Sequence, residues 1–120
     1  QAAKAAAAAE ASADKTWTLD ELMARGEETY NKVCAACHQV NGQGLPPAFP
    51  GLVGSAIVTG DIAAHLEIVL NGKAGTAMQA FGPQLDDLEL AALITYERNA
   101  WGNDTGDLVQ PGDIAAARGK

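Results

Sequence analysis

Residues 34 to 38 read Cys-Ala-Ala-Cys-His, and these two cysteines are the only ones in the 120-residue chain. Two thiols three positions apart, with an imidazole directly after the second, constrain the fold more than any other feature. On a helix that spacing spans one turn, so whatever engages the three side chains must lie against that turn. The composition sharpens the point. Hydrophobic residues make up 48% of the chain, but much of that is alanine and aromatics are only 5%. A chain so short of large side chains needs something else to fill its centre.

The rest of the chain organises around that turn. Residues 1–15 form an alanine-rich, low-complexity stretch that reads as a linker, and a chain starting at Gln1 within it reads as a processed product or an excised domain. Thr18 and Glu21 form a capping box. Leu19, Leu22, Met23, Gly26, Tyr30 and Val33 then recur at helical spacing, predicting a helix from about Thr18 into the cysteines. Asn41 to Gly60 is rich in glycine and proline and reads as loop. A second helix begins at Asp61 and closes at Asn71-Gly72. Asp86 and Glu89 cap a third helix, over 86–100, apolar on most of its surface and expected to be buried. The sequence divides as linker 1–15, domain 16–101 and a Gly- and Asp-rich tail 102–120, with one short turn of helix near Asp113 to Arg118. No segment alternates with a period of two, so the expected fold is all-α, three main helices plus loops. No run is long and apolar enough to span a bilayer, no signal peptide is visible, and a net charge of -7 disfavours nucleic acid as a partner.

Three chemistries use closely spaced cysteines. A redox disulfide sits after a strand in a βαβ pattern, and no strand is expected here. Structural zinc takes four ligands from separated pairs, whereas the remaining candidates are His38, crowded against Cys37, and His65 alone. Covalent haem attachment is the third, and C-x-x-C-H is its signature. Its spacing has a physical reason: Cys34 and Cys37 on one turn can bond the two vinyl groups on one edge of the ring, and His38 then lies under the iron. For the opposite face the candidate is Met78, in a loop whose Gly75, Ala77, Ala80 and Gly82 let the backbone approach a flat ring. Met23 falls at a core-facing helical position. His65 falls at the margin of an apolar stripe (Ile62, Leu66, Val69, Leu70) and reads as a partly exposed surface histidine rather than a ligand. Paired His and Met ligation is the electron-transfer pattern.

With these residues in view, the chain resembles class I cytochromes c from about Gly26 to Trp101: a helix with Gly26 and Tyr30, the C-x-x-C-H turn, a loop proline, a methionine loop, and a final helix with Leu93 and Tyr96. The resemblance implies one haem c held through Cys34 and Cys37, with His38 and Met78 on the iron. It also implies that the first and last helices cross at Gly26, with Tyr30 near Tyr96. The Pro47 carbonyl would accept a hydrogen bond from His38 Nδ1–H, as a metal-bound histidine requires. The stretches "CAACHQVNGQGLPPAFPGL", "LNGKAGTAMQAFG" and "ALITYERNAWGNDTGDLVQP" further resemble the haem domain at the end of subunit II of caa3-type cytochrome oxidases. That implies electrons taken from a soluble cytochrome or other small redox donor and passed to the CuA domain of the same subunit. It also implies a position in the periplasm or on the outer face of the cytoplasmic membrane, in a membrane-anchored respiratory oxidase. A free shuttle cytochrome is the alternative within this class; a haem enzyme or gas sensor with an open sixth site is the alternative outside it. Between Val33 and Leu85 the charged residues are Asp61, Glu67 and Lys73 alone, which predicts a mainly apolar docking patch built from Ala35, Ala36, Val40, Ala77, Gln79 and Ala80.

Overall fold

The computed structural model describes residues 16–39, 41–44, 51–73 and 80–118, the side chains of Ala36 and Cys37 excepted. The described residues are helical and contain no strand. Helix α1 spans Leu19–Val33, α2 Ala35–His38, α3 Ala56–Thr59, α4 Ile62–Asn71, α5 Asp87–Asn99 and α6 Pro111–Arg118.

The three expected helices form where their caps place them. Thr18 and Glu21 close a reciprocal capping box on α1, and Asp86 and Glu89 do the same on α5. Asp61 accepts from Ala63 N–H at the start of α4, and Gly72, at φ 73°, ends it. Helices α1 and α5 form the main interface. Their contact centres on Gly26: a Cβ there would collide with the Ala92 carbonyl and stand 2.5 Å from Tyr96 Cβ. The missing side chain is therefore what lets the two backbones meet. Around this crossing Leu22, Leu90, Leu93 and Ile94 are completely or almost completely buried, each contributing on the order of 1.5–3 kcal/mol by leaving water. Residues Leu90 to Arg98 are buried without interruption, as expected for the third helix, because α1, α3 and α6 all pack on α5.

Two regions depart from expectation. The Asn41–Gly60 loop contains α3, capped by Ser55 Oγ accepting from Ile57 and Val58 N–H, with Val58 buried. Four residues are too short for a periodic signal. The tail holds a two-turn helix rather than one turn, starting at Pro111, a residue suited to the first helical position. Ile114 and Val109 are buried in the same core as α5. The extended stretch between α5 and α6 is tied to α5 by side chains: Thr95 Oγ1 accepts from Val109 N–H at 2.9 Å, and Asn99 bonds Gly106 N–H and the Asp107 carbonyl, both at 2.9 Å.

Candidate haem site

Cys34 is the hinge between α1 and α2. It caps the first helix by donating its N–H to the Tyr30 carbonyl at 2.9 Å, and it starts the second. His38 ends α2, and its N–H donates to the Cys34 carbonyl at 3.0 Å, so thiol and imidazole are separated by one hydrogen-bonded turn. Cys37 lies on the same turn. Cys34 is 6% exposed and belongs to the apolar cluster formed with Leu52, Val58, Leu66, Val69, Leu70, Phe81 and Leu93. A planar apolar group attached there meets an apolar wall, and its donor set is two sulfurs and one imidazole from a single turn. That fits haem c. Among the described residues no three His, Cys, Asp or Glu side chains converge to hold a metal ion, so a zinc cage is not offered there. The motif follows a helix, not the strand that a thioredoxin-like site requires.

The chain leaves this turn through a constrained residue. Gln39 has φ 70° and ψ 155°, a region that non-glycine residues rarely occupy, at a cost on the order of 1–3 kcal/mol. The surroundings impose it. Tyr30 Oη donates to the Gln39 carbonyl at 2.7 Å, and Gly44 N–H donates to the His38 carbonyl at 2.9 Å. Burial, with a smaller contribution from the charge of Glu97, pushes the Tyr30 phenol well above its usual range, so it remains a donor. Tyr30 also meets Tyr96 at 5.6 Å and Trp101 at 5.0 Å between ring centroids, and Trp101 covers Gly42. The expected contact of Tyr30 with Tyr96 is thus present, extended by a third ring that sequence reasoning did not connect to it.

Pro47 and Met78 fall in 45–50 and 74–79, outside the described residues. The two ends of the Met78 loop are described: Gly72 closes α4, and Phe81 and Gly82 N–H donate to the Val69 and Leu70 carbonyls at 2.9 and 3.0 Å. Met23 is half-buried against the core, as expected.

His65 corrects the reading of the sequence. It is not a partly exposed surface residue but 1% exposed, and its Nε2 lies 2.9 Å from Glu97 Oε1. Arg98 Nη1 lies 3.4 Å from His65 Nδ1. A guanidinium can only donate, so the Nδ1 lone pair faces Arg98 and the ring N–H faces Glu97. Arg98, itself 1% exposed, also donates from Nη2 to the Gly60 carbonyl and from Nε and Nη2 to Asp107 Oδ2 at 3.1 and 2.7 Å. The Arg98 guanidinium holds the Asp107 carboxyl below its usual range. The signal was available: Glu97 and Arg98 fall on a helix read as buried, where charges need partners.

The all-α arrangement and the motif define a cytochrome c domain. A match to the family described as "Cytochrome C oxidase, cbb3-type, subunit III" covers residues 21–96, and the chain belongs to this family. Its fold is the class I cytochrome c fold, and its cofactor is haem c. The chain is 31% identical over 103 residues to the alcohol dehydrogenase (quinone) cytochrome c subunit of Gluconobacter oxydans, covering 78% of this chain and 22% of that one. It is 33% identical over 113 residues to the gluconate 2-dehydrogenase cytochrome c subunit of Pantoea cypripedii, covering 85% and 25%. With cytochrome c-552 of Thermus thermophilus it shares 36% identity over 84 residues, covering 58% and 63%. The chain thus spans about a fifth to a quarter of the length of the dehydrogenase subunits. These relatives establish an electron-transferring cytochrome c domain; they are not caa3-type subunit II.

Proposed function

We propose that this domain is a one-electron relay inside a larger redox assembly, with haem bonded to Cys34 and Cys37 and ligated by His38 and Met78. The observation that carries the reading is the Cys34–His38 turn set against a buried apolar cluster. When bound, the haem iron supplies a ferric/ferrous couple. The residues around it hold that couple still: the Tyr30 bond fixes the chain directly after His38, and Pro47 is assigned the acceptor for His38 Nδ1–H. An open-site enzyme or sensor needs a distal acid–base group. His65, the one candidate in the sequence, is committed to Glu97 and Arg98.

For the assembly, the resemblance to caa3-type subunit II favours a soluble periplasmic donor and CuA as acceptor, with residues 1–15 as the linker. The similarity to dehydrogenase cytochrome c subunits favours a second arrangement, in which a partner dehydrogenase supplies the electron. In both, the domain works outside the cytoplasm. None of the described helices is long and apolar enough to cross a membrane.

The test begins with the ferric spectrum. A far-red methionine-to-iron charge-transfer band in the wild type, lost in Met78→Ala together with new cyanide binding and a lowered potential, supports the ligand set. Unchanged spectra and cyanide binding in that variant reject Met78. Stopped-flow oxidation of the ferrous domain by a purified CuA domain then separates the two assemblies, since only the oxidase reading requires it to be fast.

A further inference from the structure

We infer that Trp101, in the turn that follows α5, is a positioning residue for His38, acting by pressing its ring on Gly42 and so closing the turn that holds the His38 backbone. This rests on the reading of His38 as an iron ligand, and it gives the end of α5 a part in orienting that ligand.

Both peptide groups that flank His38 are bonded. Its N–H donates to the Cys34 carbonyl at 3.0 Å, and its carbonyl accepts from Gly44 N–H at 2.9 Å. Gln39 N–H donates to the Ala35 carbonyl at 2.8 Å. The Gln39 carbonyl accepts twice, from Tyr30 Oη at 2.7 Å and from Gly42 N–H at 3.1 Å. With its backbone held in this way, the imidazole keeps only its side-chain rotations. A metal-bound histidine depends on such surroundings for the orientation of its ring. The bonds from Gly42 and Gly44 come from chain that has already left α2, so no helix supports them.

Trp101 supplies that support. A Cβ on Gly42 would stand 2.6, 2.7 and 2.8 Å from three carbons of the indole, so the ring lies directly against the Gly42 backbone. The same ring meets Tyr30 at 5.0 Å, edge to face. One side chain therefore touches both donors to the Gln39 carbonyl. Trp101 holds this place at φ 57°, a conformation uncommon for a bulky residue and kept only where the surroundings impose it. Asn103 imposes it. Its N–H donates to the Ala100 carbonyl at 2.9 Å, and its side chain bonds the Glu97 and Leu52 carbonyls and Gly54 N–H. Leu52 and Val53 N–H in turn donate to the Gly42 carbonyl at 2.6 and 3.2 Å. The turn after α5 thus grips two passes of chain that are bonded to each other, Asn103 holding residues 52 to 54 and Trp101 holding Gly42. Without the indole, the Gly42 and Gly44 bonds lose their cover and open locally, and the peptide after His38 is free to turn.

The experiment uses the haem-loaded chain as wild type, Trp101→Ala, Trp101→Leu, Trp101→Phe and Ile114→Ala. The readouts are amide hydrogen exchange at Gly44 N–H, the hyperfine-shifted His38 ring resonances of the ferric protein, and the denaturation midpoint by circular dichroism. Trp101→Ala should exchange Gly44 N–H about tenfold faster, equivalent to ~1.4 kcal/mol of easier opening, and should displace the His38 resonances. Trp101→Leu should fall between alanine and wild type, and Trp101→Phe, which keeps a ring over Gly42, should stay nearer wild type. Ile114→Ala removes a fully buried side chain of α6; it should lower the midpoint and leave Gly44 exchange and the His38 resonances at wild-type values. Wild-type exchange and resonances in Trp101→Ala and Trp101→Leu overturn the inference and leave the His38 reading standing. A phenylalanine variant no better than alanine overturns the ring contact as the cause. Acceleration that follows the midpoint across all variants, Ile114→Ala included, overturns it by reducing Trp101 to general stability. A wild type without hyperfine-shifted His38 resonances overturns the ligand reading and this inference together.

Discussion

Gly26→Ala should destabilise the protein by about 2 kcal/mol, and Gly112→Ala should stabilise it by up to about 0.5 kcal/mol, although both glycines are helical. At Gly112 no atom lies within 4 Å of an added Cβ, so only the helical preference for alanine acts. At Gly26 the Cβ would meet the Ala92 carbonyl oxygen, Tyr96 Cβ at 2.5 Å and Ala92 carbonyl carbon at 2.9 Å. Two of these are backbone atoms and the third is fixed to backbone, so no rotamer change can make room. Restoring ordinary contact near 3.5 Å requires α1 and α5 to part by roughly 1 Å. A gap of that size forfeits about a quarter to a half of the dispersion between facing side chains, here Leu22, Tyr30, Leu90, Leu93 and Ile94. Overpacking of this kind typically costs ~1–3 kcal/mol, and the alanine preference returns at most ~1 kcal/mol. The loss should therefore appear as a melting point lower by roughly 6–12 °C. The assay is guanidinium and thermal unfolding of the ferric protein followed by far-UV circular dichroism. Because the haem is covalent, the midpoints carry no ligand-concentration dependence. A Gly26→Ala midpoint equal to or above wild type would refute the close-approach argument, and a larger loss at Gly112 than at Gly26 would do so too.

His65→Ala should cost on the order of 3 kcal/mol, because it leaves Glu97 and Arg98 buried with a missing partner, while the haem spectrum stays unchanged; an altered axial spectrum at intact stability would return His65 to the iron. Tyr30→Phe should cost about 1 kcal/mol at neutral pH, through the lost bond to Gln39. The Tyr30 pKa is raised by burial, so its contribution is whole below the ordinary tyrosine value near 10 and is lost as pH rises through the folded value. Stability of the wild type should thus fall above about pH 10 more steeply than that of Tyr30→Phe, and parallel slopes would reject the assignment. Electron transfer with the natural donor should depend only mildly on salt, with Ala77→Lys or Ala36→Asp slowing it more than removal of the exposed Glu27 and Glu28 charges. A steep salt dependence, with a large loss on neutralising those two residues, would move docking to the acidic face of α1.

What could be read from the sequence was what local chemistry encodes. The limits of α1, α4 and α5 follow from Thr18 with Glu21, Asp61 with Ala63 and Gly72 with Ile68, and Asp86 with Glu89, each a bond between residues a few positions apart. The Cys34–His38 turn was legible for the same reason. Helix α3 was not, since four residues give no period. The packing of the tail was not, since it depends on Thr95 and Asn99 reaching residues 106 to 109, bonds with no signature in either partner's neighbourhood. His65 was misplaced because stripe geometry counts apolar area only. Its burial follows from Glu97 and Arg98, two charged residues on a helix with no exposed face to give them.

Those polar residues also explain how a chain with 5% aromatics and many alanines can hold its loops. Large side chains would normally pin a loop by filling space beneath it. Here α5 pins loops through directed bonds instead. Arg98 takes the Gly60 carbonyl ahead of α4 and the Asp107 carboxylate beyond α5. Asn103, one turn past the helix, accepts from Gly54 N–H at 2.8 Å and donates to the Leu52 and Glu97 carbonyls at 3.2 and 2.7 Å. Leu52 in turn belongs to the apolar cluster that includes Cys34. The wall facing the attachment turn is therefore anchored at one remove, from a helix with no predicted ligand on it. An electron carrier gains from this because a site that does not rearrange between its two oxidation states keeps reorganisation small. Among the described residues that stillness is supplied by directed bonds from Arg98 and Asn103 to the loops on either side of α5, rather than by large side chains packed beneath them.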